Sequence, residues 1–235
     1  MIKNRRFLIF ASVVFVLTEI YLSYKVQTVP GIYHSRYSFP SVILACVFFA
    51  LFAEKSRAYV LTQLGLLFTV GADYYLVYLA PQDKLMGMIC FVIAQLFYFL
   101  LVYSYDESKK RKKAHLILRA LFSIIAVTVA VFVLGENVDA VAILSVLYFL
   151  NLFFNVVFSF AQFKKIPVLA IGFLCFILCD VVIGFANIGP YFQIPEDSFI
   201  HKLLNPGFDP AWAFYIPSQF LIALSLLPKR LKKRV

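Results

Sequence analysis

Long apolar runs broken at short intervals by polar clusters organise this chain from end to end. A bilayer-spanning helix needs about 20 mostly apolar residues, and eight such runs can be marked: Phe7–Tyr24, Phe39–Ala53, Tyr59–Ala80, Leu85–Tyr105, Ala114–Leu134, Asp139–Ala161, Ile166–Ile188 and Ala211–Pro228. The second is short and is expected to borrow Tyr37 and Ser38 at one end and Glu54 and Lys55 at the other. The pattern predicts an all-α, polytopic integral membrane bundle of eight transmembrane helices, a single domain over residues 1–235. The composition agrees, with 63% apolar and 14% charged residues and a mean hydropathy of +0.88.

Charge then orients the bundle. Eight crossings leave both termini on one side, and 18 of the 22 basic residues fall there; only Lys25, Arg36, Lys84 and Lys202 fall opposite. The positive-inside rule therefore predicts cytoplasmic termini and outward loops at Pro81–Lys84 and Gly189–Pro210. The net charge of +10 sits in juxtamembrane clusters, so it reads as topology and lipid contact with no nucleic-acid partner. The expected setting is the cell membrane. The run after the opening MIKNRR has no small-x-small cleavage site behind it and is kept as the first helix. Four cysteines inside spans indicate no disulfide framework.

Against this apolar background two carboxylates stand out, Asp73 and Asp180, each 14 residues into a span that runs outward. At ~1.5 Å per residue both lie about 21 Å up their helices, and Glu19 lies about 18 Å up its own. A charge at such depth costs roughly 2.5 kcal/mol at the least, so it marks function by default. Arg119 is counted with the basic residues of the terminal side, and no intramembrane Lys or Arg is read as a partner for the aspartates. Tyr148, Asn151, Asn155, Ser159 and Gln162 recur along one face of the sixth span. Gln95 and Tyr98 share a face of the fourth, and Tyr215, Ser218, Gln219 and Ser225 cluster on the eighth. Such faces turn inward, and interhelical hydrogen bonding is their ordinary role. A faint echo also links Gly65 with Asp73 to Gly172 with Asp180, eight residues apart in each case, as in parallel repeats.

Absences narrow the chemistry. His34, His115 and His201 fall in loops or at span ends, so no histidine-rich zinc site is expected, and neither a nucleophile elbow nor a phosphate loop occurs. No metal or cofactor is called for. Two carboxyls in a low-dielectric site resist double ionisation, so one can serve as a general acid while the other steadies a cation or takes a proton from water. That arrangement suits ether cleavage through an oxocarbenium ion, and equally a proton-coupled carrier.

The segment GADYYLVYL (71–79) resembles the first aspartate motif of the YhhN family of lysoplasmalogenase-like membrane proteins, IGFLCFILCDVVIG (171–184) their second, and FYIPSQFLIALSL (214–226) their closing segment. Three positions depart from the family pattern: Ala72 between Gly71 and the aspartate, Cys179 in place of serine, and Gln95 in place of histidine. The resemblance implies hydrolysis of the vinyl ether bond of lysoplasmalogens, giving a fatty aldehyde and a glycerophospho-base, with Asp73 and Asp180 catalytic. Asp180, flanked by Cys179 and Val181, is the expected acid. Glu19, Gln95, Tyr98, Asn151, Asn155, Tyr215 and Gln219 are the expected substrate contacts, and a lysophospholipid or other amphiphilic lipid the expected partner. A small-molecule or lipid transporter and a non-catalytic lipid-binding protein remain the alternatives.

Overall fold

The computed structural model describes residues 5–187 and 208–227, with 195 and 198 between them. All regular structure among the described residues is helical: α1 (Arg5–Thr28), α2 (Ser35–Phe52), α3 (Arg57–Asp73), a π-turn (Tyr74–Tyr78), α4 (Lys84–Tyr105), α5 (Lys109–Leu134), α6 (Ala140–Phe160), α7 (Pro167–Asn187) and α8 (Pro210–Leu224). The first seven are long and apolar enough to cross a membrane, whereas α8 is an apolar helix of 15 residues. The chain is a multi-pass membrane protein. The expected outward loop Gly189–Pro210 lies largely outside the described residues.

Short polar connections set the helix ends. Ser56, Asp83, Ser108, Asp139 and Asp209 each stand at an N-cap and accept a hydrogen bond from a first-turn amide, which satisfies donors the helix leaves open. The bounds of α2 and α5 are among those that differ from expectation. α2 gains its length at the Ser35 end only, and stops at Phe52 because Ala53 turns extended, so Glu54 and Lys55 stay outside. The basic run Lys109–Lys113, expected as a juxtamembrane cluster before the fifth span, forms the first turns of α5.

Close packing pairs α3 with α4 and α7 with α8, and the two echoed glycines lie in those seams. A Cβ on Gly65 would come within 2.3 Å of the Tyr98 ring on α4, and one on Gly172 within 3.3 Å of the Ile222 backbone on α8. Each glycine lets a neighbour approach where no side chain would fit. At the end of the bundle away from the α1 start, the Gln27 side chain of α1 pairs reciprocally with the Asp209 backbone, accepting from its N–H at 2.7 Å and donating to its C=O at 2.8 Å. This ties the start of α8 to the end of α1.

The outlying helix α5 packs along α6 and is held there by a buried cation, which corrects the placing of Arg119 and His115 at the cytoplasmic edge. Arg119 is 8% exposed and His115 1%. The guanidinium donates to the Asn151 side chain and to the Asn155 Oδ1 at 2.9 Å, and contacts His115 Nε2 at 2.8 Å. Asn155 in turn donates to the Gln95 Oε1 at 2.9 Å, so the network spans α4, α5 and α6. The His115 ring stacks on Phe158 at 3.6 Å, and Phe99 faces the guanidinium at 4.5 Å. No carboxylate pairs with Arg119 among the described residues. Neutral acceptors and ring faces carry its solvation instead. A helix-face reading that stops at Ala114 sees Arg119 as an edge charge, since its inward direction depends on α6.

At the near end of the bundle, where α1 begins, Asp106 closes α4 and receives three hydrogen bonds from the Arg111 side chain, at 2.9 to 3.1 Å. Desolvation works against this carboxylate, yet the Arg111 and Ser108 hydrogen bonds and the charges of Arg111 and Lys112 outweigh it and hold its pKa below the usual range. A depressed pKa means that the stabilisation is full above the ordinary aspartate value of about 3.9 and is lost as pH falls through the native value. Asp106→Asn should therefore melt earlier than wild type in detergent near neutral pH, with the gap closing as pH falls through the lowered native value. Equal melting at pH 7 would reject the pairing. For the buried network, Asn155→Leu should cost about 1–3 kcal/mol by leaving Arg119 and Gln95 short of partners. Adding Arg119→Met should recover part of that loss, because the cation and its desolvation go together. Thermal melts of the single and double variants check this.

Candidate functional site

Asp73 is the last residue of α3 and is 3% exposed. Its Oδ2 accepts a hydrogen bond from the Tyr215 hydroxyl of α8 at 2.6 Å. Asp180, two thirds of the way along α7 and half-buried, accepts from the Tyr148 hydroxyl of α6 at 2.5 Å. The arrangement is thus the same on both aspartates, a phenol from a neighbouring helix donating to one carboxyl oxygen.

Phe176 stands between the two pairs. Its ring lies edge-on to Tyr215 at 5.5 Å and to Tyr148 at 6.4 Å, and Phe91 of α4 closes against both Phe176 and Tyr148 at 6.1 and 5.1 Å. Asp73 and Asp180 are near enough for their charges to interact, and buried Cys179 adjoins Asp180 in sequence. Four helices, α3, α6, α7 and α8, supply the polar groups. In a hydrocarbon surround each carboxyl retains an oxygen available to a ligand or water, while the phenols fix its orientation and the rings keep the local dielectric low.

The expected contact residues are spread through the bundle, and one of them meets an aspartate directly. Tyr215 meets Asp73 directly. Gln95, Asn151 and Asn155 belong to the Arg119 network, whose Asn151 lies one helical turn along α6 from Tyr148. Glu19 is 1% exposed and accepts a hydrogen bond from the Ser41 hydroxyl across the α1–α2 seam. Tyr98 is fully buried against Gly65 and packs on Phe173 with ring centres 5.2 Å apart and planes tilted by 59°. Gln219, fully buried on α8, donates to its neighbour Ser218 at 3.0 Å.

Tyr148 joins Asp180 although sequence reading placed it only among the polar residues of its face. Its signal was the i, i+3 spacing with Asn151. What could not be read is that the face turns from α7 to α5 within one turn. The three departures from the family pattern also find places. Ala72 and Cys179 are buried beside their aspartates, at 0% and 1% exposure, and Gln95 receives the Asn155 amide.

Searches of curated proteins and of solved structures returned no match. The model of the YhhN family matches residues 36–226, from the start of α2 to just past the end of α8, and so takes in both aspartates with the tyrosines that hold them. With most of its length under that match, and with both aspartate motifs and the closing segment inside it, the chain belongs to the YhhN family.

Proposed function

We propose that this protein is a membrane-embedded hydrolase that cleaves the vinyl ether bond of lysoplasmalogens. The observation that carries the reading is the pair of tyrosine-held aspartates flanking Phe176. Membership of a family of lysoplasmalogenase-like proteins is consistent with it.

Asp180, the more accessible carboxyl, acts as the acid and delivers its proton to the β-carbon of the vinyl ether, leaving an oxocarbenium ion on the α-carbon. The anionic Asp73, oriented by Tyr215, steadies that cation and takes a proton from the attacking water. The resulting hemiacetal opens, the glycerol oxygen leaves with a proton, and a fatty aldehyde and a glycerophospho-base are released. One water is consumed and each carboxyl ends as it began after proton return. Burial of the pair supplies the low dielectric in which these charges act most strongly.

Asp73→Asn and Asp180→Asn keep size and hydrogen bonding but remove the exchangeable acid, so each should lower turnover by on the order of 10² or more, and the double variant little further. Gln95→Ala, in the Arg119 network, should cost less. Aldehyde release from lysoplasmenylethanolamine by purified protein measures this, and full activity in both Asn variants rejects the mechanism. Proton-driven solute uptake in liposomes without aldehyde release would instead favour a carrier, the reading to which the matched α3–α4 and α7–α8 seams lend support.

The membrane orientation belongs to the same proposal, in the cell membrane with both termini cytoplasmic, supported by 18 of 22 basic residues on one side. A cysteine placed at Lys110 should then resist an impermeant thiol reagent in intact cells and react after permeabilisation. Ready labelling before permeabilisation overturns that topology.

A further inference from the structure

Directly after Asp73 the backbone widens into the π-turn Tyr74–Tyr78, closed by the Leu79 N–H donating to the Tyr74 carbonyl at 2.8 Å. Such turns concentrate at functional sites. With more residues per turn than an α-helix, this one brings Tyr74 and Tyr78 to the same side, ring centres 6.0 Å apart and planes 28° apart. Phe39 of α2 packs on both, at 4.9 Å from Tyr78 and 6.3 Å from Tyr74, and Tyr75 stands edge-on to Tyr74 at 5.3 Å. Despite this mutual packing Tyr74 remains 40% and Tyr78 58% exposed. An interfacial aromatic belt accounts for single tyrosines at a span end. It does not call for a π-turn that assembles them on a ring from another helix, next to a buried aspartate.

Two cations share this end of the bundle. Arg36 is exposed, lies three residues before Phe39 on the same side of α2, and rests its guanidinium 4.7 Å over Tyr33. Lys84 opens α4, also exposed. Neither forms an ion pair with a carboxylate among the described residues. Exposed π-faces attract a quaternary ammonium, and an unpaired guanidinium suits a phosphate. Their combination complements a zwitterion. Tyr78 is five residues past Asp73, no more than about 7.5 Å along the axis, a distance that a glycerophosphocholine bridges from its sn-1 oxygen to its ammonium.

We infer that Phe39, Tyr74, Tyr78 and Arg36 form a headgroup subsite for choline lysophospholipids, with the trimethylammonium on the exposed tyrosine faces and the phosphate at Arg36. The inference rests on the hydrolase reading for its setting and adds the headgroup class. The primary ammonium of an ethanolamine lipid is compact and strongly hydrated, so it gains less from the same rings.

Binding tests this without turnover. Full-length protein in nanodiscs is titrated with lysophosphatidylcholine and lysophosphatidylethanolamine of one acyl chain, ester lipids that carry both headgroups but no vinyl ether. Wild type should bind the choline lipid more tightly. Tyr78→Leu should weaken that binding about fivefold or more while changing the ethanolamine lipid by less than about twofold, and Tyr78→Phe should bind as wild type does. Arg36→Gln should weaken both lipids. Equal loss for the two headgroups in Tyr78→Leu, no loss at all, or a loss in Tyr78→Phe overturns the subsite, and unchanged binding in Arg36→Gln overturns the phosphate contact. Failure of aldehyde release counts against the hydrolase reading alone, because these ligands cannot be hydrolysed at a vinyl ether.

Discussion

Hydrocarbon offers no hydrogen bonds, so every polar side chain at membrane depth has to find its partner within the protein. The interior of this bundle follows from that constraint. Asp73 takes Tyr215, Asp180 takes Tyr148, Glu19 takes Ser41, and Arg119 takes two asparagines and a histidine. Each pairing crosses between helices or bridges turns of one, so the polar groups that are costly to bury are also the ones that specify which helices adjoin. Apolar contact with lipid-like neighbours could not choose among arrangements so sharply.

The fold was legible because its determinants are local. Apolar run length places the seven long helices, the π-turn counted with α3, to within about five residues at each end. The two aspartates were legible as well, since a carboxyl inside such a run is conspicuous whatever surrounds it. Their partners were not. Tyr148 and Asn151 share one face of α6 and look equivalent in sequence, yet one meets Asp180 and the other Arg119, a difference set by which helix lies on either side. Arg119 goes the same way: its nearness to the basic run Lys109–Lys113 groups it with the terminal-side charges, and only the packing of α6 turns it inward.

The closing of the site illustrates how the glycine echo and the aromatic residues cooperate. Gly65 and Gly172 bring α4 and α8 close to α3 and α7, which sets Tyr98, Phe91 and Tyr215 at depths where rings of different helices meet Phe173 and Phe176. Short-range spacing carried the glycines into view, whereas the ring contacts they permit depend on long-range pairing that no single segment encodes.

The α6 helix has its carboxylate contact on α7 and its guanidinium contact on α5 within three residues, Tyr148 to Asn151. Mechanically, that makes α6 a key held between two wards. Sliding it by one turn, about 5.4 Å, would carry Tyr148 away from Asp180 and bring an asparagine into its place while stranding the Arg119 cation. Any large displacement of this bundle must therefore carry α5, α6 and α7 together, and α4 with them through the Asn155–Gln95 bond.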